Sequence, residues 1–169
     1  MHGVGEKFPE FSMTAVDKNN EMIQVTSGDL NGWSVIYFYP KDFTFICPTE
    51  IAEMDRLTDE GVQVIGISGD NEFCKQNWKQ TNDLIQDVRH PLAADCGLKL
   101  STELGVVDAD EGVCLRATFI LNSEGVIQHV TVNALDTGRS ADETIRTLKA
   151  LQAGGLTGCS WNPGDEFVA

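Results

Sequence analysis

Long apolar runs are missing from this 169-residue chain, and so is any excess of positive charge. No segment approaches the ~20 apolar residues that cross a bilayer. Met1 to Glu10 carries neither the basic start nor the apolar stretch of a secretion signal, so a cytoplasmic protein is expected. Twelve Lys and Arg stand against 26 Asp and Glu, a formal net charge of −14. Nucleic acid and anionic membranes both demand a basic face, so neither is expected as a partner. Among the five cysteines, at 47, 74, 96, 114 and 159, there is no C-x-x-C pair and no metal-like alternation with the three histidines. A metal is therefore not expected, and the dithiol motif of general disulfide oxidoreductases is lacking. An odd cysteine count in a reducing compartment also argues against a disulfide framework, leaving any disulfide transient and catalytic.

What is present describes an ordinary globular chain, with 41% hydrophobic and 22% charged residues and no repeat or interior linker. It reads as one α/β domain with a tail. Phe11 to Val16 and Met22 to Val25 predict a short strand pair across the polar Asp17-Lys18-Asn19-Asn20 turn. Ser34 to Tyr39 predicts a core strand, Pro48 to Glu60 a helix ended by Gly61, and Val62 to Ser68 a second core strand parallel to the first. A helix follows over Asn71 to Asn82, then a helix-compatible piece around Cys96 to Leu104. Cys114 to Leu121 and Val126 to Val132 predict a hairpin across Asn122-Ser123-Glu124-Gly125. The last helix runs from about Ala141 to Leu151, and Gly154-Gly155 stops it. The Gly-, Pro- and polar-rich end, with Cys159 and Trp161, is expected to be mobile.

Cys47 is the informative residue. The apolar strand Val35-Ile36-Tyr37-Phe38-Tyr39 gives way to Pro40-Lys41-Asp42-Phe43-Thr44-Phe45-Ile46-Cys47-Pro48-Thr49-Glu50, and then Ile51, Met54 and Leu57 recur at helical spacing. Pro48 suits a first helical turn because its missing N–H costs nothing there. Cys47 thus sits at a helix start, where unpaired N–H groups and the positive dipole end favour the anionic thiolate, which is the nucleophile. Cysteine is commonly an inert core residue, but the polar, proline-punctuated surroundings favour reactivity here. Arg116 also stands out, interrupting the apolar run from Val113 to Ile120, because a cation in such a strand needs a partner. Trp78 reads as core packing, Arg146 as a solvated helix-flanking charge, and Cys74, Cys96 and Cys114 as buried or incidental thiols.

The spacing Pro40-x-x-x-Thr44-x-x-Cys47 resembles the active-site signature of the peroxiredoxins. The blocks Val64 to Ser68, His90 to Asp95, Leu115 to Ile120 and Gly138 to Thr144 resemble that family in the right order, over roughly residues 5 to 165. The chain is most similar to the alkyl hydroperoxide reductase C branch. The resemblance implies a thioredoxin-like fold, a mixed sheet flanked by helices with an added N-terminal strand pair and a hairpin insertion. It implies a peroxidase domain over 1–152 and a mobile tail over 153–169. Reduction of hydrogen peroxide and organic hydroperoxides is implied, with no metal and no bound organic cofactor.

By the same resemblance Cys47 is the peroxidatic cysteine, Thr44 supplies a hydroxyl to the peroxide, Arg116 a guanidinium to thiolate and peroxide, and Pro40 shields the sulfur. Glu50 and Arg139 orient the site. Cys159 is the candidate resolving cysteine, acting from the partner subunit of a homodimer, five of which form a decamer in many relatives. A thioredoxin-like protein or a dedicated disulfide reductase is the implied electron donor. The tail departs from the family pattern, since Cys159 lies two residues before Trp161 whereas the widespread position, four before it, holds Thr157. The Gly-Gly-Leu-Gly loop and the C-terminal Tyr-Phe helix of easily overoxidised relatives are absent, which implies relative resistance to overoxidation. The alternative reading is a peroxide sensor or holdase chaperone acting through redox-dependent oligomers.

Overall fold

A computed structural model of the chain describes residues 2–169. Strands β1 (Ser12–Val16) and β2 (Met22–Thr26) form the N-terminal pair, and β3 (Ser34–Phe38) leads through a loop to helix α1 (Cys47–Met54). Strand β4 (Gln63–Ser68), helix α2 (Glu72–Thr81), strand β5 (Leu92–Ala94) and helix α3 (Lys99–Leu104) follow. Then come the short strands β6 (Val107–Asp108) and β7 (Val113–Cys114), the hairpin β8 (Arg116–Leu121) and β9 (Ile127–Asn133), and helix α4 (Ala141–Ala153). Seven strands make one mixed sheet, ordered β2-β1-β5-β4-β3-β8-β9, while β6 and β7 pair separately. Strand β3 runs parallel to β4, as the sequence predicts, and antiparallel to β8. No helix among the described residues is long and apolar enough to cross a membrane.

The sheet buries both faces. Alternation along β3 sends Ile36 and Phe38 into a cluster with Phe8, Phe119 and Leu104, and Val35 and Tyr37 into another with Ile51, Met54, Leu57 and Leu148. Cys47 belongs to the second cluster, so the reactive-cysteine candidate is built into the α1 side of the sheet. Two of the helices open on side-chain caps. Asn71 accepts the Cys74 N–H at the head of α2, and Ser140 accepts the Glu143 N–H at the head of α4. The predicted hairpin turn is held by Asn122 Oδ1, which accepts the Glu124 and Val126 N–H groups.

Three elements differ from the sequence expectation. The helix expected to Glu60 tightens into 3₁₀ geometry over Asp55–Glu60 before Gly61 takes a left-handed conformation at φ 73°. The Asp55 carbonyl is engaged by the Thr58 hydroxyl (2.7 Å) and the Arg89 guanidinium (3.0 Å), and competition for a helix carbonyl of this kind favours a tightened last turn. The strand expected from Cys114 to Leu121 is broken at Leu115, whose N–H bonds to Val106 rather than to the main sheet. The helix expected near Cys96 starts only at Lys99, after left-handed Gly97 and Leu98, and the Asp95 carboxylate caps it through the Leu100 and Ser101 N–H groups.

A buried polar chain crosses the α1 side. Tyr37 Oη lies 2.6 Å from His90 Nε2, and His90 Nδ1 lies 2.7 Å from Asp55 Oδ1. Burial raises the Tyr37 pKa. Burial also lowers that of His90, only partly countered by the hydrogen bond and charge of Asp55. Tyr37 is thus the donor to a neutral imidazole, which donates in turn to the Asp55 carboxylate. Tyr37→Phe leaves a buried nitrogen without its donor and is expected to cost about 1–3 kcal/mol in urea denaturation. Because His90 is held below its unfolded value, its contribution is full above about pH 6.5 and declines as the pH falls further. Half-buried His129 acts in the same direction. The Tm is expected to fall as the pH is lowered from about 7.5 to 5.5, and His90→Gln to remove part of that slope.

Candidate active site

Helix α1 opens at Cys47 itself, with Pro48 second and no side-chain cap. The Ile46 carbonyl takes the first helical N–H groups, from Thr49 and Glu50. Cys47 is 1% exposed, so its sulfur meets the helix dipole in a nearly water-free setting, where electrostatic interactions are strongest. The loop from the end of β3 to α1 wraps a small cavity of about 180 Å³ lined by Pro40, Lys41, Thr44, Cys47, Glu111, Val113, Arg116 and Leu135. Four residues singled out from the sequence, Pro40, Thr44, Cys47 and Arg116, therefore meet in one pocket.

Arg116, at the start of β8, points its Nη1 at Cys47 Sγ, 3.4 Å away. The same nitrogen donates to Glu50 Oε1, one turn along α1, and Arg116 Nε donates to the Leu135 carbonyl at 2.8 Å. Burial works against the Arg116 charge, but the hydrogen bond to Cys47 and the Glu50 charge outweigh it, and its pKa stands above the ordinary arginine value. Arg139 approaches Glu50 from the other side, giving Nε to Oε2 at 2.6 Å and its backbone N–H at 3.1 Å. Its remaining donors reach the Ala117 and Phe38 carbonyls and the Thr118 hydroxyl, and its guanidinium lies 5.0 Å from the centre of the Tyr37 ring. All three charged side chains are at most 6% exposed. Two guanidiniums share one carboxylate, leaving one positive charge that a Cys47 thiolate would balance.

Thr44 lines the pocket, and its Oγ1 donates to the Lys41 carbonyl at 2.8 Å. Lys41, Glu111, Val113 and the Leu135 carbonyl are site residues that the sequence reading missed. Lys41 adjoins the recognised loop, but Glu111 and Leu135 come from segments with no local signal.

The other cysteines behave differently. Burial, aided by the Asp42 and Asp70 charges, pushes the Cys74 thiol up to about 11. Burial does the same to Cys114, also to about 11. Cys96 and Cys159 are exposed, and all five thiols are free. Cys159 is not among the residues lining the Cys47 pocket; its sulfur lies 3.8 Å from Ser160 Oγ. The tail around it has no helix or strand. It is nevertheless attached through Trp161, which is 7% exposed, stacks on Phe167 and accepts a 2.8 Å hydrogen bond from Arg146 at its carbonyl. Arg146 is thus not the merely solvated charge expected from the sequence: it pairs with Glu143 and holds the tail. Trp78 is core packing as expected, against Tyr39 and Phe43.

The AhpC/TSA family profile matches residues 4–130. Alkyl hydroperoxide reductase C of Mycolicibacterium smegmatis is 39% identical, the alignment covering 98% of this chain and 92% of that protein. The chloroplastic 2-Cys peroxiredoxin BAS1 of Spinacia oleracea is 41% identical over 98% of this chain and 67% of its own length. Among solved structures, the reduced 2-Cys peroxiredoxin of Plasmodium vivax superposes with a TM-score of 0.91 at 31% identity, covering 98% of this chain and 92% of that one. Sequence and fold agree, and the chain belongs to the AhpC/TSA family of peroxiredoxins.

Proposed function

We propose that this chain is a thiol-dependent peroxidase that reduces hydrogen peroxide and organic hydroperoxides at Cys47. The observation that carries this reading is the Arg116 guanidinium 3.4 Å from a buried thiol at a helix start. In the first step the Cys47 thiolate attacks the terminal peroxide oxygen. The S–O bond forms as the O–O bond breaks, and the alkoxide or hydroxide leaves to be protonated as alcohol or water. Negative charge spreads over sulfur and both oxygens, where Arg116 can stabilise it. Thr44, its proton engaged by the Lys41 carbonyl, accepts the peroxide O–H and aims the substrate. Pro40 walls the sulfur from water. Glu50 and Arg139 hold Arg116 in place through the shared carboxylate.

The resulting Cys47 sulfenic acid condenses with a second thiol to a disulfide, releasing water. Exposed Cys159 of the partner subunit is the proposed second thiol. A disulfide needs Cα atoms about 4.4–6.8 Å apart, so buried Cys47 must leave its pocket for the bond to form. A homodimer, and a decamer of such dimers, is supported by the outer strand β9 at the end of the sheet and by exposed Phe43, Phe45 and Phe73. Two electrons from a thioredoxin-like protein or a dedicated disulfide reductase complete the cycle. We place the protein in the cytoplasm, a reducing compartment in which free thiols persist. The lack of a Gly-Gly-Leu-Gly run supports relative resistance to overoxidation.

Cys47→Ser is expected to abolish reductant-dependent peroxide consumption, and undiminished consumption would refute the reading. Cys159→Ser should spare one turnover and block disulfide recycling in a rapid-mixing assay. Arg116→Met is expected to lower the peroxide rate constant by about a hundredfold or more, as loss of a transition-state donor does. Glu50→Gln leaves two buried guanidiniums without their common anion and is expected to cost about 3–5 kcal/mol of stability by denaturant titration.

A further inference from the structure

The loop carrying Cys47 holds a second buried ion pair, separate from the Arg116 cluster. Lys75 on α2 and Asp42 in the loop both have side chains 0% exposed. Lys75 Nζ lies 3.3 Å from each Asp42 carboxylate oxygen and 2.5 Å from Ser68 Oγ, while the Ser68 hydroxyl donates to Asp42 Oδ1 at 3.0 Å. The Asp42 N–H donates to Asp70 Oδ2 at 2.7 Å. The ammonium also stands over the Tyr39 ring, 5.2 Å from its centre. One turn further along α2, Trp78 packs on Phe43, which has a left-handed backbone at φ 58°. The pair thus grips the loop between Lys41 and Thr44, two residues that are hydrogen-bonded to each other and both line the Cys47 pocket.

A fully buried lysine is rare unless paired, and it constrains its partner strongly because neither charge can be left behind in the core. Farther along the same loop, Phe45 is 95% exposed within the single chain. Cys47 must leave its pocket before it can bond to another thiol, and moving the loop off α2 separates Asp42 from Lys75.

We propose that Lys75 is a positioning residue that, through Asp42, holds the Cys47 loop in its peroxide-reacting form, and that breaking this pair gates the disulfide step. The inference rests on the peroxidase reading above. It assigns opposite effects to one contact: it favours attack on peroxide and opposes resolution by Cys159.

The test is stopped-flow tryptophan fluorescence of the full chain during a single turnover with hydrogen peroxide, since Trp78 borders the loop. Mass spectrometry identifies the sulfenate and disulfide phases. Lys75→Met is expected to slow the first phase by about tenfold or more, the scale of effect that misplaced reacting groups produce, and to accelerate the second. The share of Cys47 driven to sulfinate at high peroxide should fall. The double variant Asp42→Asn with Lys75→Met removes both charges and carries the same expectation if the single variant does not fold. In the wild-type protein, amine labelling of Lys75 should be blocked in the reduced form and occur in the disulfide form. Both phases unchanged, both slowed together, or Lys75 still protected in the disulfide form would overturn the proposal. A wild-type protein that is not oxidised at Cys47 would instead overturn the peroxidase reading; normal wild-type oxidation with any of those results removes only the gate.

Discussion

The contact of Arg116 with the Cys47 sulfur is the interaction on which the rest of the structure depends. A guanidinium inside an apolar sheet is unfavourable unless its donors are satisfied and its charge is matched. Here Glu50 supplies one anion for two arginines, and the remaining positive charge faces a thiol at a helix start. Neither the cation nor the sulfur is well placed alone. Burial makes Arg116 costly without Cys47 and Glu50, and it makes Cys47 an ordinary core thiol without Arg116.

The fold serves that contact by bringing distant segments together. Cys47 and Glu50 lie on one turn of α1, Arg116 starts β8, and Arg139 precedes α4. Antiparallel pairing of β3 with β8 places the loop leaving β3 beside the start of β8. Arg139 then reaches across to the Phe38 carbonyl at the end of β3 and over the Tyr37 ring. Tyr37 is itself held by His90 and Asp55, so a continuous set of contacts runs from Cys47 along the α1 side of the sheet to the 3₁₀ turn after α1.

Much of this was legible in the sequence because local chemistry and tertiary placement agree. The all-buried β3 reads as an apolar run, and Pro48 with Glu50 marks the helix start that displays Cys47. Arg116 was conspicuous because a cation in an apolar strand requires an explanation. What escaped was set by long-range partners. Strand β5 has only three residues after a proline and exists because β4 and β1 flank it. The break at Leu115 follows from a hydrogen bond to Val106, and the roles of Lys75 and Arg146 follow from Asp42 and the Trp161 carbonyl. Helical lysines and arginines ordinarily reach solvent, and nothing local distinguishes these two.

The central claim is that the environment of Cys47, and of no other cysteine here, makes the peroxide-reactive thiol. The most direct measurement is trapping of the sulfenic acid with a dione probe after one equivalent of hydrogen peroxide, followed by peptide mass mapping of all five cysteines. The account predicts the adduct on Cys47 alone, although Cys96 and Cys159 are far more exposed. An adduct mainly on an exposed cysteine, with Cys47 unmodified, would contradict it.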